Sequence, residues 1–146
     1  MNRLWGKLGI IIALALVVIP ATGISCNTPS ASISEAAMAP DVNAQKQPVN
    51  PTDVFAADTP EIFCSFKLSN APGDTHLNAE WVYIQGENAT LANTIIATWK
   101  TTTDGTRYIE ISLSPPGGWP GWYTGEYQVM LYLNSEEQAS VPFTVE

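Results

Sequence analysis

The sequence predicts an all-β domain in its C-terminal two thirds, residues 52–146. Aromatic and β-branched residues recur there in short runs in which apolar and polar positions alternate. This two-residue period is that of a strand with one buried face. Clusters of Gly, Asn, Asp and Pro separate the runs, as turns separate the strands of an all-β fold. No helix is needed to account for these residues.

The chain begins with a segment typical of export. Arg3 and Lys7 precede an uninterrupted apolar run, residues 8–19, which Pro20 closes. A helix that spans a bilayer needs about 20 apolar residues, so this run is too short for a permanent span. Residues 1–25 are therefore predicted to be a signal peptide.

Cys26 follows this segment directly. Small residues precede it, with Ile24 and Ser25 at the two positions before the thiol. The arrangement resembles the lipobox of bacterial lipoproteins. That resemblance implies export, a diacylglyceryl group on the sulfur of Cys26, and cleavage just before this residue. The protein would then be held to a membrane by lipid on Cys26, at the cell surface or on the periplasmic side.

Two alternatives to the lipid anchor remain open from the sequence. In ordinary secretion the peptidase would cut after Gly23, which stands where the lipoprotein pattern usually has an aliphatic residue. Cys26 would then be free or would form a disulfide with Cys64, the second cysteine of the chain. The other alternative is an uncleaved anchor.

Residues 26–51 are predicted to be a disordered linker after the lipid-attachment cysteine. They are rich in Ser, Ala, Pro, Asn and Gln and contain no aromatic residue. Such a segment buries too little apolar surface to offset the entropy of ordering it. As a random coil of this length it would span about 25 to 30 Å and hold the domain away from the membrane.

The predicted strands follow in order, and the first covers residues 54–57. The second covers residues 62–69 and turns Ile62, Cys64, Phe66 and Leu68 to one face. A loop rich in turn formers comes next, and residues 80–85 form the third strand.

Four more strands complete the domain. Residues 94–101 place Ile95, Ala97 and Trp99 on one face, and the Asp104-Gly105 pair predicts a two-residue hairpin turn into residues 106–114. Residues 125–133 form the sixth strand. The last strand, residues 141–145, contains Pro142, which has no N–H for a ladder, so this strand is predicted to lie at an edge.

Three sequence markers occur at fixed places in this pattern. Cys64 lies in the second strand, Trp81 in the third, and Gly125-x-Tyr127-x-Val129 in the sixth. The domain resembles the immunoglobulin-like β-sandwiches, in which antiparallel strands, about seven in all, form two packed sheets.

The resemblance implies a structural role for these residues. Trp81 would fill the space between the sheets, and Tyr127 would place its ring in the core while its hydroxyl bonds a backbone group at the tyrosine corner. Cys64 would be a small buried core residue. Val129 stands where the group usually has its second cysteine, so no disulfide joins the sheets at that pair.

The charge of the chain disfavours nucleic acid as a partner. All fourteen acidic residues follow Cys26, against four basic ones, which gives a net charge of −10 beyond the signal peptide. Nucleic-acid binding needs clustered Lys and Arg. No Asp-x-Asp-x-Asp run is present to gather calcium ligands, and we expect no metal and no cofactor.

The sequence also predicts no catalytic centre. His76 is the only histidine, and no Gly-x-Ser-x-Gly turn accompanies it. Glu136 and Glu137 are adjacent in a predicted turn, where we expect solvent to surround both carboxylates and no catalytic acid or base to arise. The chain is therefore not expected to be an enzyme.

Residues 115–123 are the candidate recognition segment. This Gly- and Pro-rich loop contains Trp119, Trp122 and Tyr123, and exposed aromatic residues on a rigid scaffold can stack on sugars or anchor a protein. In the alternative, Trp119 and Trp122 fold back and cover the core beside Tyr127.

Together these features predict a non-enzymatic, lipid-anchored cell-envelope protein. It would present its immunoglobulin-like domain to an envelope protein or a glycan. One alternative is a structural or accessory subunit of an envelope assembly, in which the edge strand ending at Glu146 pairs with a partner strand. The other is a plainly secreted protein of the same fold.

Overall fold

A computed structural model describes residues 30–146 of the chain. The predicted signal peptide and Cys26 lie outside these residues. The described part contains eight strands and one short 3₁₀ turn, Ala89–Leu91. The strands are β1 (Ser32–Ala39), β2 (Asp41–Val42), β3 (Pro48–Val49), β4 (Val54–Phe55), β5 (Ile62–Gly86), β6 (Thr94–Leu113), β7 (Gly125–Leu133) and β8 (Glu136–Val145).

The two long strands, β5 and β6, run through both layers of a sandwich. In the first layer, the N-terminal half of β5 pairs with β1 on one side and with the C-terminal half of β6 on the other. In the second layer, the C-terminal half of β5 lies between the N-terminal half of β6 and β7. That layer continues from β7 to β8 and then to β4.

The crossing between the layers occurs where β5 bulges. From the pair Leu68–Arg107 to the pair Thr75–Thr103, β5 uses more residues than β6. Two asparagine or aspartate residues in this part of β5 have positive φ, 54° at Asn70 and 65° at Asp74. These short polar residues tolerate the left-handed conformation, so the chain can turn here without losing its pairing on either side.

The predicted hairpin at Asp104-Gly105 is wrong, because β6 continues through both residues. Gly105 has a φ of 77° and pairs with Ala71 of the β5 bulge. A positive φ at Gly is what a hairpin turn and a strand bend have in common. Here both halves of β6 pair with β5, so Gly105 bends β6 and does not form a turn between two strands.

The predicted disordered linker is corrected by the structure, since part of it is strand. Residues 32–39 form β1, which pairs antiparallel with β5. Met38 and Ala39 of β1 are buried. The side chains of β1 are mostly small, so its hydrophobic pattern is weak, and the backbone bonds to β5 order it. The domain therefore begins about twenty residues earlier than the predicted boundary at residue 52.

The core is built from the inward faces of the strands. Trp81, Tyr83, Tyr127 and Phe66 are the largest fully buried side chains. Phe143 joins several of these rings: it stacks on Tyr127 at 4.9 Å between centroids and meets Trp81 edge-on at 6.0 Å. Aromatic pairs in these geometries add to the free energy of burial.

At the start of β6, the buried and exposed positions differ from those predicted by alternation. Ile95 is 50% exposed, while Ile96 packs against the core. The register with β5 shifts between Trp81 and Val82, where β6 contains one extra residue. This bulge reverses the face of every β6 residue before it.

The predicted edge position of the last strand is wrong at its C-terminal end. Val54 and Phe55 of β4 pair parallel with Thr144 and Val145. The backbone N–H of Thr144 donates to the carbonyl oxygen of Asp53 at 2.7 Å. The end of β8 therefore has a partner within the domain and offers no free edge for another protein.

Candidate functional site

The aromatic loop, residues 115–123, connects β6 to β7 and is fixed to the segment that follows β4. The backbone N–H of Trp122 donates to the carbonyl oxygen of Ala57 at 2.9 Å. A Cβ atom on Gly121 would lie 2.8 Å from the same oxygen. Only glycine allows this close approach, so the loop has a defined position on the end of the sandwich.

Trp122 belongs to the core, which corrects its assignment as a candidate binding residue. Its side chain is 3% exposed, and its indole N–H donates to the carbonyl oxygen of Thr59 at 2.9 Å. The ring meets Tyr127 edge-on at 5.7 Å and Phe143 at 6.3 Å. Trp122 therefore anchors the loop and, although it lines the cleft beside Tyr123, offers a ligand almost no surface.

Trp119 and Tyr123 remain partly exposed and form what we call the aromatic pair. Their ring centroids lie 4.6 Å apart with an angle of 55° between the ring planes. Tyr83 supports the pair from below, 6.5 Å from Trp119 in an edge-on geometry. Rings held in this way contact a ligand with little further loss of conformational entropy.

The tyrosine corner fixes the backbone of the aromatic pair. The hydroxyl of Tyr127 donates to the carbonyl oxygen of Tyr123 at 2.7 Å. Burial raises the pKa of Tyr127 above its ordinary value, so this hydroxyl keeps its proton at neutral pH. The hydroxyl of Tyr83 donates in turn to the carbonyl oxygen of Thr124 at 3.2 Å.

A cleft of about 400 Å³ lies beside Tyr123 and is bordered by two carboxylates, Asp58 and Glu87. Glu87 accepts hydrogen bonds from the backbone N–H of Thr124 at 3.1 Å and from its hydroxyl at 3.3 Å. Carboxylates accept hydrogen bonds from sugar hydroxyls and pair with cationic side chains, and aromatic faces attract cations and apolar ring faces.

Asp58 and Glu87 are far from the aromatic loop in the sequence. Asp58 follows β4, and Glu87 follows β5. Neither residue lies in a local motif, and only the pairing of β4 with β8 and of β5 with β7 brings their segments to this end. No signal in the sequence alone identifies them.

A second groove, of about 410 Å³, lies between β6 and the turn that joins β2 to β3. Lys46, Trp99 and Arg107 are among its lining residues. Arg107 lies 3.5 Å from Asp104 in an exposed ion pair. This groove is separate from the aromatic loop and contains none of the predicted binding residues.

The remaining predicted site residues lie in the core. Cys64, Trp81, Tyr127 and Val129 are each at most 2% exposed. Cys64 is the only cysteine within residues 30–146 and forms no disulfide there. Within residues 30–146, no three His, Cys, Asp or Glu side chains lie close enough together to hold a metal ion. The described part of the chain also contains no helix that is long and apolar enough to cross a membrane.

The burial of Cys64 predicts a loss of stability at alkaline pH. Desolvation raises the pKa of Cys64 from 9.0 to about 12. Between these values the unfolded chain loses the thiol proton and the folded chain keeps it, so stability falls as pH rises, by up to about 1.4 kcal/mol per unit of pKa difference. Urea unfolding at successive pH values above 9 measures the effect.

Cys64→Ala is the matched variant for this prediction. It is less stable at neutral pH because it leaves a small cavity, but its stability should fall less steeply than that of the wild type in the alkaline range. Parallel pH profiles for the two proteins would contradict the assignment of this effect to the thiol.

No protein-family model matches the chain, and no curated protein matches its sequence. Solved structures do match. An immunoglobulin-like protein from Pseudomonas aeruginosa is 14% identical with a TM-score of 0.53, over 80% of this chain and 96% of that one. The alkylpurine DNA glycosylase AlkC of Pseudomonas fluorescens, bound to DNA with an abasic site analogue, is 16% identical with a TM-score of 0.52.

The match to the glycosylase covers 80% of this chain but 30% of that enzyme. At these identities the likenesses concern the fold. With the sandwich described above, they confirm the predicted fold class: the described residues form an all-β, immunoglobulin-like domain.

Proposed function

We propose that this protein is a non-enzymatic binding module of the cell envelope, held to a membrane by lipid on Cys26, which binds its ligand through the aromatic pair. The observation that carries the proposal is that the aromatic residues of the loop differ in burial. Trp122 is buried and hydrogen-bonded, whereas Trp119 and Tyr123 are partly exposed and lie against each other. Buried anchors with partly exposed rings beside them are typical of binding loops on rigid scaffolds.

The surroundings of the aromatic pair favour a ligand with hydrogen-bond donors or positive charge. Asp58 and Glu87 border the cleft beside Tyr123, and the basic residues of the domain lie elsewhere. A glycan rich in hydroxyl groups and a protein with exposed Lys or Arg both meet this requirement. An anionic ligand would be repelled.

The binding test compares two variants of the full chain. Trp119→Ala should abolish detectable capture of a ligand from an envelope extract or from an immobilised glycan panel, because loss of a central aromatic contact costs about 2 kcal/mol or more. Tyr108→Ala is the matched control, since Tyr108 is a partly exposed aromatic residue of the other layer. Equal capture by both variants, or none by the wild type, would refute the proposed site.

The anchor has a separate test. Intact-mass analysis of the protein from a bacterial membrane fraction should show a diacylglyceryl adduct that is missing from Cys26→Ser. Two or more acyl chains give stable anchoring, so the wild type should remain with membranes and the variant should not. A wild-type protein that is unmodified and free in the medium would support plain secretion instead.

The alternative of a structural subunit loses its first argument. It rested on a free edge at the strand ending at Glu146, and β4 covers that end of β8. Within residues 30–146, the longest strand that pairs on one side alone is β6.

A further inference from the structure

In the part of the chain that the structure describes, the outer edge of β6 carries no paired strand, and the turn that joins β2 to β3 faces part of it across the 410 Å³ groove. Among residues 30–146, β6 pairs with β5 and with no other strand. Exposed edges are usually short or blocked by Pro, charges or bulges, because an open edge pairs with other chains. At 20 residues, β6 is long for such an edge.

Beyond the bulge at Ile96, the N-terminal half of this edge has little that would block pairing. Residues 94–103 contain no Pro, no Gly and no acidic residue, and Lys100 is their single charge. The chain as a whole carries fourteen acidic residues. Two copies would therefore repel each other over much of their surface, but not along this segment.

We propose that two copies of this chain associate by antiparallel pairing of residues 97–101 of β6 across a two-fold axis at Trp99. A two-fold contact pairs each residue with its mirror position around the centre. A register centred on Lys100 would place the two lysines directly opposite each other. The register centred on Trp99 places Lys100 of each copy opposite Thr98 of the other.

This register makes the charges of the two copies complementary. Thr98 pairs with Glu80 on β5, so Lys100 of the second copy, Thr98 and Glu80 lie in one row on the outer face of the sheet. Neighbouring strands are about 4.8 Å apart, so the two charged residues are about 10 Å apart at their Cα atoms. Their side chains can span this distance, and symmetry gives two such pairs.

Glu80 is positioned for this contact. Its carboxylate accepts a hydrogen bond from the hydroxyl of Tyr132 at 3.1 Å, which holds it on the outer face. Of the two ion pairs within the described part of the chain, neither includes Glu80 or Lys100. Both charges are therefore available to a second copy.

Apolar contacts accompany the pairing. Trp99, which is partly buried in one copy, meets Trp99 of the other. Ile95 takes no part in this contact, because the bulge turns its side chain to the outer face, whereas Thr103 is buried on the inner face.

Charge reversal tests both the contact and its register. Sedimentation velocity of the full chain in density-matched detergent should show a dimer that dissociates on dilution. Lys100→Glu and Glu80→Lys should each weaken the dimer about 100-fold, because each places like charges in both symmetric pairs. The double variant should regain most of the affinity.

Lys67→Glu is the matched control, since it makes the same change of charge on the other layer and should leave the dimer intact. Thermal melts of the monomers show whether Glu80→Lys disturbs the fold through Tyr132. A wild type that stays monomeric at all concentrations, single variants that dimerise like the wild type, or a double variant without recovery would overturn the proposal.

Discussion

A chain shortened to residues 52–146 is expected to lose the cooperative fold. It lacks β1, which pairs with β5 at six positions and buries Met38 and Ala39 against the core. Loss of a buried Met side chain alone costs about 2 to 5 kcal/mol, and the lost strand adds exposed backbone groups along β5. The total is comparable to the whole stability of a domain, about 5 to 15 kcal/mol.

The measurement is thermal and urea unfolding of two shortened chains, one that begins at Ser30 and one that begins at Thr52. The longer chain should unfold in a single cooperative transition. The shorter chain should already be unfolded at room temperature, so that neither heat nor urea produces a transition. The Met38→Ala variant of the longer chain should have a stability between those of the two shortened chains. A cooperative transition of similar midpoint in both chains would show that β1 contributes little.

The second large effect is expected at Trp122. Trp122→Ala removes a side chain that is 3% exposed and packs on Tyr127 and Phe143. Truncation of a buried aromatic residue costs about 3 to 5 kcal/mol. The carbonyl oxygen of Thr59 also loses its hydrogen bond from the indole N–H, which adds about 1 kcal/mol or more if water does not replace it.

Trp119→Ala provides the comparison within the same loop. Trp119 is partly exposed, so its truncation should cost about 1 kcal/mol and leave a folded domain. Urea unfolding of both variants measures the difference. Equal losses of stability would mean that Trp122 does not anchor the loop more than Trp119 does.

The sequence predicts the inward faces of the strands because alternation is a local property. Phe66 and Leu68 on β5, and Val129 and Leu131 on β7, are buried as their periodicity indicates. The tyrosine corner is equally local, since Tyr127 bonds a residue only four positions before it. Such features need no knowledge of distant partners.

Other features depend on distant partners and could not be predicted. The small side chains of β1 give no strong pattern, and its order comes from pairing with β5. Asp104-Gly105 suits a hairpin as well as a bend, and the position of β5 decides between them. The acidic border of the aromatic loop likewise depends on the pairing that brings Asp58 and Glu87 to one end of the sandwich.

Oxidative footprinting of the tryptophan residues in the full, folded chain tests the proposed binding surface most directly. We expect Trp119 to be oxidised readily, whereas Trp81 and Trp122 should be protected until the domain unfolds, because they are 2% and 3% exposed. Addition of a captured ligand should then protect Trp119. Oxidation of Trp122 at the rate of Trp119 in the folded chain would show that the loop has no buried anchor and no separate binding surface.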